Sequence, residues 1–150
     1  MTGAGAFGST LARRPMDERS VRRFPSAATH IKSARDCVAE ALACRGASGD
    51  VIEVFRLAAS ELAANVIEHG HSLFWTLAVT VSVDRWTMEV VGGDARPPSN
   101  EVLHPESWNV PDADRRGGRG LGIVRALMDG VEVDAVRGLV RVTCWLDRDA

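Results

Sequence analysis

Long apolar runs are missing from this 150-residue chain, and no stretch approaches the length needed to cross a bilayer. The N-terminus also lacks the apolar segment of a secretory signal, so a soluble cytoplasmic protein without membrane contact is expected. Cysteine is scarce: there are three, an odd number, at spacings that match no metal-ligand pattern. Cys37 and Cys44 stand seven apart within a helical pattern, on one face, and buried thiols are the expectation for them. Lysine is nearly absent. Arginine supplies all but one of the 18 basic residues, which places rigid guanidinium forks on the surface, suited to phosphates and carboxylates. An excess of positive charge is lacking too. Twenty acidic residues leave a formal charge of −2, so no direct contact with nucleic acid is expected.

What remains is an ordinary globular composition, 45% apolar and 25% charged, at a length that holds one domain. Residues 1–19 are rich in Gly, Ala, Ser and Arg without periodicity and read as a mobile tail, leaving a single domain over 20–147. Residues 20–24 read as a short edge strand ended by Pro25, with Ser26 as the N-cap of a helix over 28–43. Ile31, Ala34, Val38 and Leu42 recur on one face of that helix. Asp50 and Glu53 form a capping-box signal for a long helix reaching Glu68 and closed by Gly70. Val51, Val54, Phe55, Ala58, Leu62 and Val66 make its apolar stripe.

Residues 77–83 and 86–91 read as a hairpin, 121–128 as a short helix, and 131–136 with 139–146 as a second hairpin turning at Arg137–Gly138. The long connection over 92–120 is of the kind that serves as a lid over a ligand. This order predicts an α+β two-layer sandwich: a mixed, mostly antiparallel sheet with helices stacked on one face. Phe74, Trp75 and Trp108 are candidates for a partner surface or for the core, and Trp108, within the lid, is the stronger candidate for the surface.

Three local features carry chemistry. Glu61 and Asn65 are four apart in the long helix, so carboxylate and amide share a face, continued by Glu68 and His69. Such a pair can hold a hydrated Mg²⁺, which takes few protein oxygens, and the carboxylate can draw a proton from an attacking hydroxyl; an ordinary solvated helix face has the same spacing. Arg115, Arg116, Gly118, Arg119, Gly120, Leu121 and Gly122 run directly into the short helix. Open glycine amides, a helix N-terminus and guanidinium groups together make an anion site, although a loose glycine linker reads the same way. Third, Gly92, Gly93 and Asp94 end the first hairpin, where a carboxylate can accept a hydrogen bond from an exocyclic amine such as that of adenine, or simply finish a polar turn.

Taken in order, the three features resemble the boxes of the GHKL ATPase superfamily, most nearly its small anti-sigma-factor serine kinases of partner-switching systems. The resemblance runs over about 21–146, and residues 60–70 look like the family's N box. It implies the Bergerat-type sandwich, with ATP and Mg²⁺ as cofactors. Glu61 would be the general base and Asn65 the Mg²⁺ ligand, with His69 near the phosphates. Gly118, Gly120, Leu121 and Gly122 would cradle the phosphates, and Arg115, Arg116 and Arg119 would belong to the ATP lid. The implied activity is that of an anti-sigma factor and serine-protein kinase, which sequesters a sigma factor and phosphorylates a STAS-domain anti-anti-sigma protein, with a homodimer as the assembly. The first glycine box departs from the pattern, since Gly92 or Gly93 falls where the family has an Asp and Asp94 is displaced by one or two residues. That departure keeps a second reading open: a weak or inactive sigma-factor-binding module of the same fold. A detached sensor histidine kinase domain is a third reading with little support, because His30 lacks the Glu-rich, Pro-containing context of a phospho-acceptor helix.

Overall fold

The computed structural model describes residues 17–70, 72–93, 104–108 and 119–148. Strand β1 spans Glu18–Pro25, helix α1 Ile31–Ala43, helix α2 Gly49–His69, strand β2 Phe74–Val81, strand β3 Arg85–Gly93, helix α3 Arg119–Leu127, strand β4 Gly130–Val136 and strand β5 Leu139–Asp147. The strands form one five-stranded sheet in the order β1-β2-β3-β5-β4, and every pairing is antiparallel. β1 is an edge strand, as expected, and begins two residues earlier than its apolar signal. The expected tail at 1–16 lies outside the described residues.

Alternation along the strands decides which face the helices cover. In register, Trp75, Leu77, Val79 and Val81 of β2 stand beside Gly92, Val90, Met88 and Trp86 of β3. Met88 and Val90 stand beside Cys144 and Val142 of β5. These side chains are buried and face α1 and α2, which contribute Ala34, Val38 and Leu42 and then Phe55, Ala58, Ala59, Leu62 and Ala63. The opposite face is polar. There the Arg19 Nη1 donates to Glu89 at 2.6 Å, and Arg141 reaches both Glu89 at 3.7 Å and Asp134 at 2.6 Å, linking four of the five strands by charge.

Several local expectations are corrected. Ser26 caps nothing: a 3₁₀ turn over Ala28–His30 follows an extended Ala27, and α1 starts only at Ile31. The start of α2 is set two residues before the Asp50–Glu53 pair, because Ser48 is the N-cap and its hydroxyl accepts from the Val51 amide at 3.2 Å. The first hairpin is longer than its sequence signal and includes Phe74 and Gly93. Cys44 is exposed at the C-cap of α1 and Cys37 is half-buried, so only Cys144 is a buried thiol. The second hairpin turns where expected, with Arg137 and Gly138 at φ of 54° and 78°. Two consecutive positive φ values are those of the type I′ turn, whose twist matches the strands it joins. Among the described residues no helix is long and apolar enough to cross a membrane.

Candidate functional site

The site begins with the register of α2. Its buried side, Ala59, Leu62 and Ala63 at the centre, is pressed on the sheet and fixes the helix rotation. Glu61 and Asn65 then lie half-buried at its margin, one turn and about 6 Å of rise apart. Among the described residues neither side chain has a hydrogen-bond or ion-pair partner, so the oxygens of both are available to a ligand. Glu68 and His69 sit in the last turn, both exposed, with 3.8 Å between His69 Nε2 and Glu68 Oε2. At that distance the two form a loose pair.

Helix α3 packs along α2 with Val124 fully buried, which brings the N-terminal end of α3 to the same layer. The glycine run is divided differently from the expectation. Arg119, Gly120, Leu121 and Gly122 form the first turn of α3 instead of a loop before it, and Gly122 is buried. The first four amides of a helix have no partner inside it, so these residues still present donors to an anion. Asp94, Arg115, Arg116 and Gly118 lie outside the described residues.

The end of β3 meets the end of α2 at backbone range. A Cβ built on Gly92 would stand 2.6 Å from Val66 Cγ1, and one on Gly93 only 1.8 Å from Ser72 Oγ. A Cβ on Gly70, the C-cap of α2, would stand 2.9 Å from the Gly93 carbonyl oxygen. Position 92 therefore holds no carboxylate and leaves no room for one while Val66 stays in place. These contacts were not read from the sequence, although a glycine doublet closing a strand is a signal of close backbone approach.

Trp108 is corrected from candidate partner surface to core. It is 2% exposed, follows a 3₁₀ turn over Pro105–Ser107, and its carbonyl accepts from Arg125 Nη1 of α3 at 2.8 Å. That bond ties the connection between β3 and α3 to the helix of the candidate anion site. Trp75 is also core, its ring 5.1 Å from that of Phe24, whereas Phe74 stays 44% exposed beneath the Arg23 guanidinium. His30 is half-buried at the N-cap of α1.

Residues 24–144 match the family described as the histidine kinase-like ATPase domain. The serine-protein kinase RsbW of Halalkalibacterium halodurans is 30% identical over 111 residues, a stretch that covers 69% of this chain and 68% of that protein. A chain in the crystal structure of the SiaB–SiaC complex from Pseudomonas aeruginosa superposes with a TM-score of 0.63 over 99% of this chain and 98% of its own. With 11% sequence identity, that likeness concerns the fold alone. The family match begins at Phe24, near the end of β1, and runs through both long helices and α3 into β5, leaving most of β1 outside it. The chain belongs to the histidine kinase-like ATPase domain family.

Proposed function

We propose that this chain is an anti-sigma factor and a Mg-ATP-dependent serine-protein kinase of a partner-switching system. The observation that carries the reading is the Glu61–Asn65 pair: a carboxylate and an amide one turn apart, without partners among the described residues, on the helix that packs against α3. The residues fit the cofactor at this end of the site. Hard oxygen donors in small number suit Mg²⁺, which keeps waters and phosphates in its remaining positions. The amides of the first turn of α3 suit phosphate oxygens. When bound, Mg-ATP supplies the transferable phosphoryl group and the charge that neutralises it.

In this reading the Asn65 side-chain oxygen would hold the hydrated ion, and Glu61 would serve as the base for the proton of a serine hydroxyl on the partner. Gly118, Gly120, Leu121 and Gly122 would hold the phosphates, Arg115, Arg116 and Arg119 would supply positive charge to them, and His69 would lie near them. Asp94 would contact the base in place of the carboxylate that the family carries at position 92 or 93. Positioning and charge neutralisation provide most of the rate in phosphoryl transfer, so the fixed spacing on α2 is the main catalytic asset. The substrate proposed is a serine of a STAS-domain anti-anti-sigma protein, and the sequestered partner is a sigma factor. A homodimer in the cytoplasm completes the proposal. The serine-protein kinase activity named for the Halalkalibacterium halodurans relative supports it.

The Gly92–Val66 contact favours a second reading, a sequestering module without turnover, because Val66 leaves no room for a carboxylate at position 92. Calorimetry with Mg-ATP decides between them. Binding that disappears in Asn65→Ala supports the kinase. A wild-type chain that binds no nucleotide while still holding a partner leaves the module.

A further inference from the structure

We infer that Gly92 is a positioning residue of the nucleotide site: by admitting Val66 to the end of β3, it sets how closely the metal-binding turn of α2 approaches the sheet. The inference rests on the nucleotide-site reading above and adds a residue that touches neither nucleotide nor metal. Asn65 and Val66 are adjacent on α2, so any displacement of Val66 moves Asn65 with it. The Val66 side chain cannot swing aside cheaply, because β-branching leaves one strongly preferred rotamer in a helix. An alanine in place of Gly92 would put its Cβ 2.6 Å from Val66 Cγ1 and 3.2 Å from Val66 Cγ2. Ordinary carbon contacts lie near 3.5–4.0 Å, so about 1 Å of separation has to be made by the helix itself. One turn later a second close approach, Gly70 against the Gly93 carbonyl, holds the end of α2 down. The strain therefore falls on the turn that carries Asn65 and on its distance from the first turn of α3.

The geometry also predicts its own remedy. Removing the branched side chain that the added methyl group would strike makes room again, so Val66→Ala should rescue Gly92→Ala. The experiment is Mg-ATP calorimetry on the full chain for wild type, Gly92→Ala, Val66→Ala and the double variant, with thermal unfolding of each. Gly92→Ala is expected to bind roughly tenfold or more weakly, in line with the sensitivity of such sites to displacements of about 1 Å. The double variant is expected within about threefold of wild-type affinity even though it has lost apolar burial and melts below wild type. A purely structural role predicts instead that affinity follows melting temperature across the four proteins, with the double variant among the weakest binders. That pattern overturns the inference, as does wild-type affinity in Gly92→Ala. Wild type failing to bind Mg-ATP removes the nucleotide-site reading itself and the inference with it, a result recognisable before any variant is measured.

Discussion

Replacing Trp108 by alanine tests the most consequential difference between sequence and structure. Trp108 sits in the long connection after β3, where loop composition pointed to an exposed anchor for a partner. In the fold it is 2% exposed within the main apolar cluster. Truncating a buried Trp to Ala costs about 3–5 kcal/mol, the transfer term plus the cavity left behind. Domains of ordinary stability have about 5–15 kcal/mol to lose, so the variant should be folded at 25 °C but markedly weakened. The main-chain bond from Arg125 to the Trp108 carbonyl does not depend on the indole, and it gives a second handle. Arg125→Gln should remove about 0.5–1.5 kcal/mol, the net value of one hydrogen bond. Urea unfolding followed by far-ultraviolet circular dichroism, fitted with a free slope, measures both losses. A Trp108→Ala loss under about 1 kcal/mol with an unchanged slope would refute the burial. The indole would then belong to a surface, and the same variant should lose partner affinity instead of stability.

Three other outcomes follow from local geometry. Gly138→Ala places a Cβ at φ 78° in the β4–β5 turn and should cost about 1–2 kcal/mol in the same urea assay, and a neutral result would contradict the turn type. Burial pushes the Cys144 thiol up to about 12 and also raises Cys37, whereas Cys44 is exposed. A thiol reagent should therefore label one site rapidly in the native protein, and reach Cys144 only on unfolding; early labelling of Cys144 would contradict its place under the helices. The Glu106 carboxyl lies below its ordinary value, chiefly through its own backbone amide and further through His104 at 3.0 Å. A depressed folded value adds stability above the ordinary value of about 4.3, and that stability is lost as pH falls through the folded value. Glu106→Gln should accordingly flatten the acid limb of the stability–pH curve below about 4.3, and an unaltered limb would rule out the depressed value.

Much of the architecture was legible because it depends on short-range periodicity. The apolar stripe of α1, the alternation of β2 and β3 and the Arg137–Gly138 turn each follow from residues within one or two turns of one another, where spacing decides which face is apolar. The Glu61–Asn65 pairing was legible for the same reason, since four residues make about one turn wherever the helix goes. Element starts were less legible: Ser26 and Ser48 are both plausible caps, and which one caps depends on how each helix seats on the sheet. Trp108 was misread because exposure of a loop residue is decided by what packs over it, here α3 and the edge of the sheet.

Sequence by itself thus determined the class of sandwich, the order of its elements and the spacing that puts Glu61 and Asn65 one turn apart on α2. Tertiary structure decided the placement of glycines 120 and 122 inside a helix, the burial of Trp108 and the contact of Val66 with Gly92. The physical reason is one of range. A helix or strand is specified by neighbours along the chain, whereas the ångströms between α2 and the end of β3 depend on how two elements 26 residues apart pack together.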